Sequence, residues 1–364
     1  MKKIFTVLTS IALTFALSFS AAFANDDALI KSQNYLKTIT LDSPDAVIAY
    51  EATGMEADYK ADALLNNFKE TDYVTASYGD LAKSIIAISL LGENPKDFNN
   101  TNLVEILENR VQEDGTLTND VNGGCGATIW TLMALETVNS PKVKAVADKL
   151  STMAMENGAY WYEYQGPNAD LDTTGWAMEA LSVAGRSTYK AAISKAYTFV
   201  QSKLNSTDGY YDNWGGNADT QSCVLEGLSV AGYTLDTNAY NYLLSYQNED
   251  GTFNALNYST GQLEPNAYAS VEGARALGVI NNGSFVLMAR RDYTNVVTES
   301  ETPTTPTTPS TTTPAVKPET TTTEPKKETV KVVNTGDNTN VMAYVVAAIA
   351  AVGVIVLVIK SKKK

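Results

Sequence analysis

The side chains best placed to do chemistry recur at one register. Counted back from Leu181, Leu228 and Leu277, positions nine, five and two residues earlier hold three triplets. They are Asp172, Trp176 and Glu179; Asp219, Cys223 and Glu226; and Tyr268, Glu272 and Arg275. Counted back from Leu135, the same positions hold Gly126, Trp130 and Met133. Steps of four and three keep side chains on one helix face, so each triplet is a stripe. Two acids at a suitable separation hydrolyse a glycosidic bond, one as acid and the other as base or nucleophile. Alternatively, crowded acids with raised pKa values, beside Trp130 and Trp176, hold a cationic or polyhydroxylated ligand without turnover. A third outcome is a solvated mouth of hydrated acids, with Glu272 and Arg275 a local i,i+3 pair. Recurrence at a fixed register favours a shared cavity that binds, and no catalytic residue is assigned.

Aromatic loops lead into these stripes. Tyr160-Trp161-Tyr162-Glu163-Tyr164 and Tyr210-Tyr211-Asp212-Asn213-Trp214 each precede an Asn-Ala-Asp. Aromatic faces beside amides and acids suit sugars and other amphipathic ligands, which adds Tyr162, Tyr211 and Trp214 to the candidate set. The alternative is that these rings plug the space between helix ends. The chain contains no histidine, which removes His-based triads, His general bases and ordinary His-containing metal sites. No Gly-rich phosphate loop is present, and neither a cofactor nor a metal is expected. Cys125 and Cys223 lie at different depths of the repeat, which predicts two separate thiols.

The elements that position these residues are repeats. Residues 172–185 return almost intact at 219–232, and the reference positions Ile88, Leu135, Leu181, Leu228 and Leu277 step by 47, 46, 47 and 49 residues. Four positions after each stands Gly92, Asn139, Gly185, Gly232 or Asn281, residues that tolerate the left-handed conformation closing a helix. Between these capped helices, apolar periodicity predicts helices over 58–70, 102–113, 141–156, 187–204 and 237–247. An earlier pair over 26–37 and 44–50 fits less well. Turns of one Gly-centred type, at Gly115, Gly158, Gly209 and Gly251, link the helices.

The last of these turns, Gln-x-x-Asp-Gly-Thr-Phe at 247–253, resembles the repeat motif of squalene–hopene and terpene cyclases. The capped helices resemble the inner helices of that prenyltransferase/squalene-oxidase-repeat superfamily. The resemblance implies an all-α fold, an α6/α6 toroid of six inner and six outer helices. It implies no single activity, because several functions share that toroid. Asp170-Leu-Asp172-Thr173 resembles the Asp-x-Asp-Asp acid of the cyclases with its third acid missing. Gly124-Cys125-Gly126-Ala127-Thr128 resembles the thioester motif of complement-like toroids, without the glutamine that must condense with the thiol. The zinc set of prenyltransferase β subunits needs a histidine. Vertebrate cobalamin carriers resemble the expected arrangement, a secreted toroid that binds without turnover.

The ends of the chain place it. Residues 1–24 read as a secretory signal peptide, with a charged start, an apolar core and the cleavage residues Ala22-Phe23-Ala24. The toroid is expected over 25–295, followed by a Thr/Pro-rich linker over 296–331. Residues 332–364 combine a sorting-like motif, nineteen uncharged residues at 341–359 and a lysine-rich tail. The motif resembles the sorting signal of Gram-positive surface proteins, which implies sortase cleavage between Thr335 and Gly336 and attachment to peptidoglycan. Its expected proline is Val333, and a plain membrane anchor through the C-terminal helix is the alternative. With 41 acidic against 27 basic residues and a net charge of −14, the chain is a poor nucleic-acid binder. The expectation is a binding protein outside the cell, holding a small molecule or glycan at the toroid's mouth. A carboxylate-dependent polysaccharide hydrolase or lyase and an adhesive module are the alternatives.

Overall fold

The computed structural model describes residues 26–57, 62–120, 123–162, 166–213 and 215–301. The expected signal peptide, most of the expected linker, the sorting-like motif and the apolar C-terminal stretch lie outside these residues. So do Trp214, Thr335 and Gly336. Among the described residues, no helix is long and apolar enough to cross a membrane.

The described chain is all-α apart from one hairpin. In order its elements are α1 (Asp26–Leu36), α2 (Pro44–Ala52), α3 (Asp62–Glu70), α4 (Tyr78–Leu90), α5 (Leu103–Asn109), α6 (Gly126–Thr137) and α7 (Val143–Met153). There follow α8 (Leu171–Gly185), α9 (Lys190–Ser202), α10 (Ala218–Val230), α11 (Thr237–Leu244), the hairpin β1 (Phe253–Asn257) and β2 (Gln262–Asn266), α12 (Ala267–Asn282) and α13 (Phe285–Glu301). The hairpin was not expected. It pairs antiparallel from Phe253 opposite Asn266 to Asn257 opposite Gln262.

The even-numbered helices α2 to α12 carry the core. All of α6 except Ala127 is buried, whereas α7 buries only Val146, Ala147 and Leu150. A helix apolar nearly all round belongs inside, and one with a single stripe belongs against it. Each even-numbered helix packs on the next, and α12 packs on α2. The reference residues Ile88, Leu135, Leu181, Leu228 and Leu277 are all buried.

Local chemistry repeats with the helices. Ser43, Ser77, Asp170, Asn217 and Asn266 each cap an even-numbered helix by accepting a backbone N–H three residues on. Such a cap contributes about 1 kcal/mol. At the other end, Gly92, Asn139 and Gly232 have φ of 71°, 50° and 76° as expected. Gly185 and Asn281 depart: Gly185 has φ of 155° as the last residue of α8, and α12 continues to Asn282 before Gly283 takes the positive φ.

The turn glycines Gly115, Gly158, Gly209 and Gly251 have φ of 81°, 90°, 86° and 86°. A Cβ on any of them would strike the backbone carbonyl of Ala145, Lys195, Asn238 or Lys31 respectively. The first three belong to α7, α9 and α11, and the fourth belongs to α1. The last turn therefore meets the first helix as each earlier turn meets the next, so the early pair fits the scheme after all.

Candidate functional site

The expected stripes do converge. Glu179 on α8, Glu226 on α10 and Glu272 and Arg275 on α12 are 0%, 1%, 3% and 1% exposed. Arg275 Nε donates to both oxygens of Glu226 at 3.2 and 3.0 Å, and its Nη2 lies 3.8 Å from Glu272 Oε1. Burial and the charge of Glu226 hold the Glu179 carboxyl well above its usual range. Burial pushes Glu272 up to about 8 against the opposing pull of Arg275. The cluster is thus an ion pair beside two carboxyls whose burial favours the protonated form, an arrangement that a low-dielectric interior tolerates.

It is not an open cavity. Ser284 donates to Glu179 Oε1 at 2.8 Å, and Phe285, at the start of α13, is fully buried. The Phe285 ring stacks on Trp130 at 6.3 Å between centroids. Lys83 Nζ sits 4.5 Å from the Trp130 ring centroid and pairs with Asp45 at 2.8 Å. Two expectations are corrected. Ser284 and Phe285, from beyond the repeats, enter the interior, and Trp130 already receives a cation from its own chain. Lys83 was legible, because it stands five residues before Ile88 at the register of Trp130, Trp176, Cys223 and Glu272.

The acids at the N-terminal ends of these helices are less enclosed. Asp172 and Asp219 are half-buried. Asn213 Nδ2 lies 3.2 Å from Asp170, 3.4 Å from Asp172 and 3.3 Å from Thr220 Oγ1. Burial, then the charge of Asp170, pushes Asp172 up to about 7, and burial raises Asp219. Asp219 Oδ1 and Trp176 Nε1 are buried with no partner among the described residues. Trp176 contacts Trp130 at 5.8 Å and Tyr162 at 6.5 Å, and Tyr268 is 56% exposed beside them in the register. Asp170 is a helix cap, with its carboxylate spent on the Thr173 N–H at 2.9 Å and the Thr173 hydroxyl.

Tyr211 is corrected outright. It is fully buried, and its backbone N–H donates to Gln221 Oε1 at 3.1 Å. Tyr160 and Phe253 stand in the same place, two residues after a turn glycine, and donate to Thr174 and Ser270. The turn aims that residue into the core, so the ring is an anchor and meets no ligand. Both cysteines are buried.

Open space lies to one side of the converging stripes. A cavity of about 820 Å³ is bounded by residues 74–79, Ile106, Asn109, Arg110, 118–120, Gly126, Ala127, Trp130 and Tyr162. Gly79 and Gly126 occupy the register position that Asp172 and Asp219 hold elsewhere, and the missing side chains leave the room. Of the expected ligand residues, Trp130 and Tyr162 line it. The polar walls at Ser77, Asn109, Thr118, Asn119 and Asp120 were not anticipated, because a glycine in a repeat register reads as a blank. Among the described residues no group of His, Cys, Asp or Glu is arranged to hold a metal. Compared with known proteins, the chain matches no family model and no curated sequence.

Proposed function

We propose that this chain is a non-catalytic binding protein displayed outside a Gram-positive cell, which holds a small molecule or glycan in the mouth of an α6/α6 toroid. The unbroken succession of even-numbered helices, with α12 against α2, supports the toroid. The observation that carries the binding role is the cavity of about 820 Å³ beside Trp130 and Tyr162. Its size falls in the usual ~300–1,000 Å³ range for small-molecule sites. The central acids are sealed from solvent and Asp170 is committed as a cap, which supports binding without chemistry.

A second reading, glycan hydrolysis, draws on one observation: Asp172 is held near neutral beside Asp219, as an acid catalyst would be. Incubating the purified protein with a panel of wall and host polysaccharides separates the two. Saturable binding without shortening is expected. Reproducible shortening that disappears in Asp172→Asn would replace the binding reading with the hydrolytic one.

A further inference from the structure

We infer that the cavity beside Trp130 takes an uncharged, short oligosaccharide. The inference rests on the binding role proposed above and concerns only what the site recognises.

The charge of the lining is the first argument. Its one cation among the described residues is Arg110, and its own chain takes three of the guanidinium's N–H donors. Nη1 donates to the Ala76 carbonyl at 2.7 Å, and Nη2 donates to the carbonyls of Tyr73 at 2.6 Å and Val74 at 2.8 Å. It also lies 5.6 Å from the Tyr78 ring. Arg110 thus builds the cavity's 73–76 wall, which leaves it few N–H donors to offer an anion. Lys83 is held below by Asp45 and Trp130 and does not line the space. The one carboxylate of the lining, Asp120, is matched by that single guanidinium. The wall therefore offers little net attraction to a cation either.

What remains is hydroxyl chemistry. The side chains of Asn109, Thr118 and Asn119 line the cavity with no hydrogen bond to another described residue. An amide donates and accepts at once, as does a hydroxyl, so each answers a sugar hydroxyl whichever way its proton points. The apolar share comes from Ile106, Ala127 and the rims of Trp130 and Tyr162, a surface for the C–H face of a ring. The volume of about 820 Å³ lies in the upper part of the range for small-molecule sites, which favours a short oligosaccharide over a single small group.

The test uses the full-length protein and isothermal titration with neutral trisaccharides (gluco-, xylo-, manno- and N-acetylchito-). A cationic glucosamine trimer, an anionic galacturonate trimer and the non-sugar dye bis-ANS complete the panel. The blocking variant is Gly79→Phe. A Cβ on Gly79 meets nothing closer than Ser77 Oγ at 3.9 Å, so the ring enters the cavity without disturbing the backbone. At least one neutral trimer is expected to bind, with affinity insensitive to salt. Gly79→Phe should weaken it by roughly tenfold or more at an unchanged melting temperature. Preference for a charged trimer, weakening as salt rises, overturns the inference and leaves the binding role standing. So does bis-ANS binding that is lost in Gly79→Phe when no neutral sugar binds. Neutral-sugar binding untouched by Gly79→Phe, or no binding by any probe, overturns both.

Discussion

Replacing Glu272 by glutamine should stabilise the protein, and only above a particular pH. The carboxyl is 3% exposed and burial lifts it from 4.5 to about 8. Below 4.5 both the folded and the unfolded chain carry the proton, and it costs nothing. Between 4.5 and about 8 the unfolded chain releases the proton while the folded chain retains it. Folding is then penalised by about 1.4 kcal/mol per pH unit. At pH 7 the penalty comes to roughly 3 kcal/mol, an upper figure because the glutamine amide must still be accommodated beside Cys223 and Arg275. Glu272→Gln carries no such proton, and its carbonyl still faces the Arg275 Nη2 that lies 3.8 Å from Oε1 in the native protein. Urea melts at several pH values should show the variant level with the wild type near pH 4.5. It should pull ahead by about 1–3 kcal/mol at pH 7. A variant equally destabilised at every pH would refute the reasoning, since Glu272 would then be an ionised counter-charge that Arg275 requires.

Three further outcomes follow from the packing and one from the C-terminal motif. Gly175→Ala should cost about 1–3 kcal/mol or more in urea unfolding, because its Cβ would strike the Cys223 carbonyl where α8 and α10 touch backbone to backbone. Asp170→Ala should cost about 0.5–2 kcal/mol in the same assay, the worth of a helix cap, and leave ligand affinity unchanged. Phe285→Ala should cost about 3–5 kcal/mol and speed the reaction of Cys223 with a thiol reagent in a Cys125→Ser background. Mass spectrometry of muramidase-released protein should recover a C-terminal peptide ending at Thr335 and joined to peptidoglycan; an intact Lys364 terminus in the membrane fraction would make the tail a simple anchor.

Much of the architecture was legible because it repeats. The buried reference leucines, the helix caps and the turn glycines recur at one spacing, and each occurrence checks the others. The fate of the acid register was not, because spacing identifies a face and says nothing of what covers it. Part of the cover is Ser284 and the head of α13, a helix packed on α2, α4 and α6 whose buried Phe285, Val286, Ala289 and Tyr293 read as one helical stripe but follow the last repeat. That helix runs to Glu301, past the expected domain edge at 295. Tyr211 was misread because loop aromatics look available until the turn glycine's geometry sends them inward. The hairpin had its own sign in Tyr258-Ser259-Thr260-Gly261, a turn between two short segments rich in Asn and Leu, which the helical period masked. The cavity arose where side chains are lacking, at Gly79 and Gly126, and a motif search weighs only what is present.

The contact between the Gly251 turn and α1, together with that between α12 and α2, has a consequence for how the chain is cut. A linear stack of repeats has two terminal units, each needing a specialised polar face. Here the first and last units serve as neighbours to one another, so neither is a terminus in space. The place where the polypeptide starts is then one seam among equivalent ones. A permuted chain opened at an exposed site such as Asn205–Asp208 and joined from Gly283 back to Asp26 would preserve every helix-to-helix contact up to α12. It would leave out Ser284 and α13, and with them the Ser284–Glu179 hydrogen bond and the Phe285–Trp130 stack. The order of units along the gene is in that sense a convention, and their order around the molecule is the constraint.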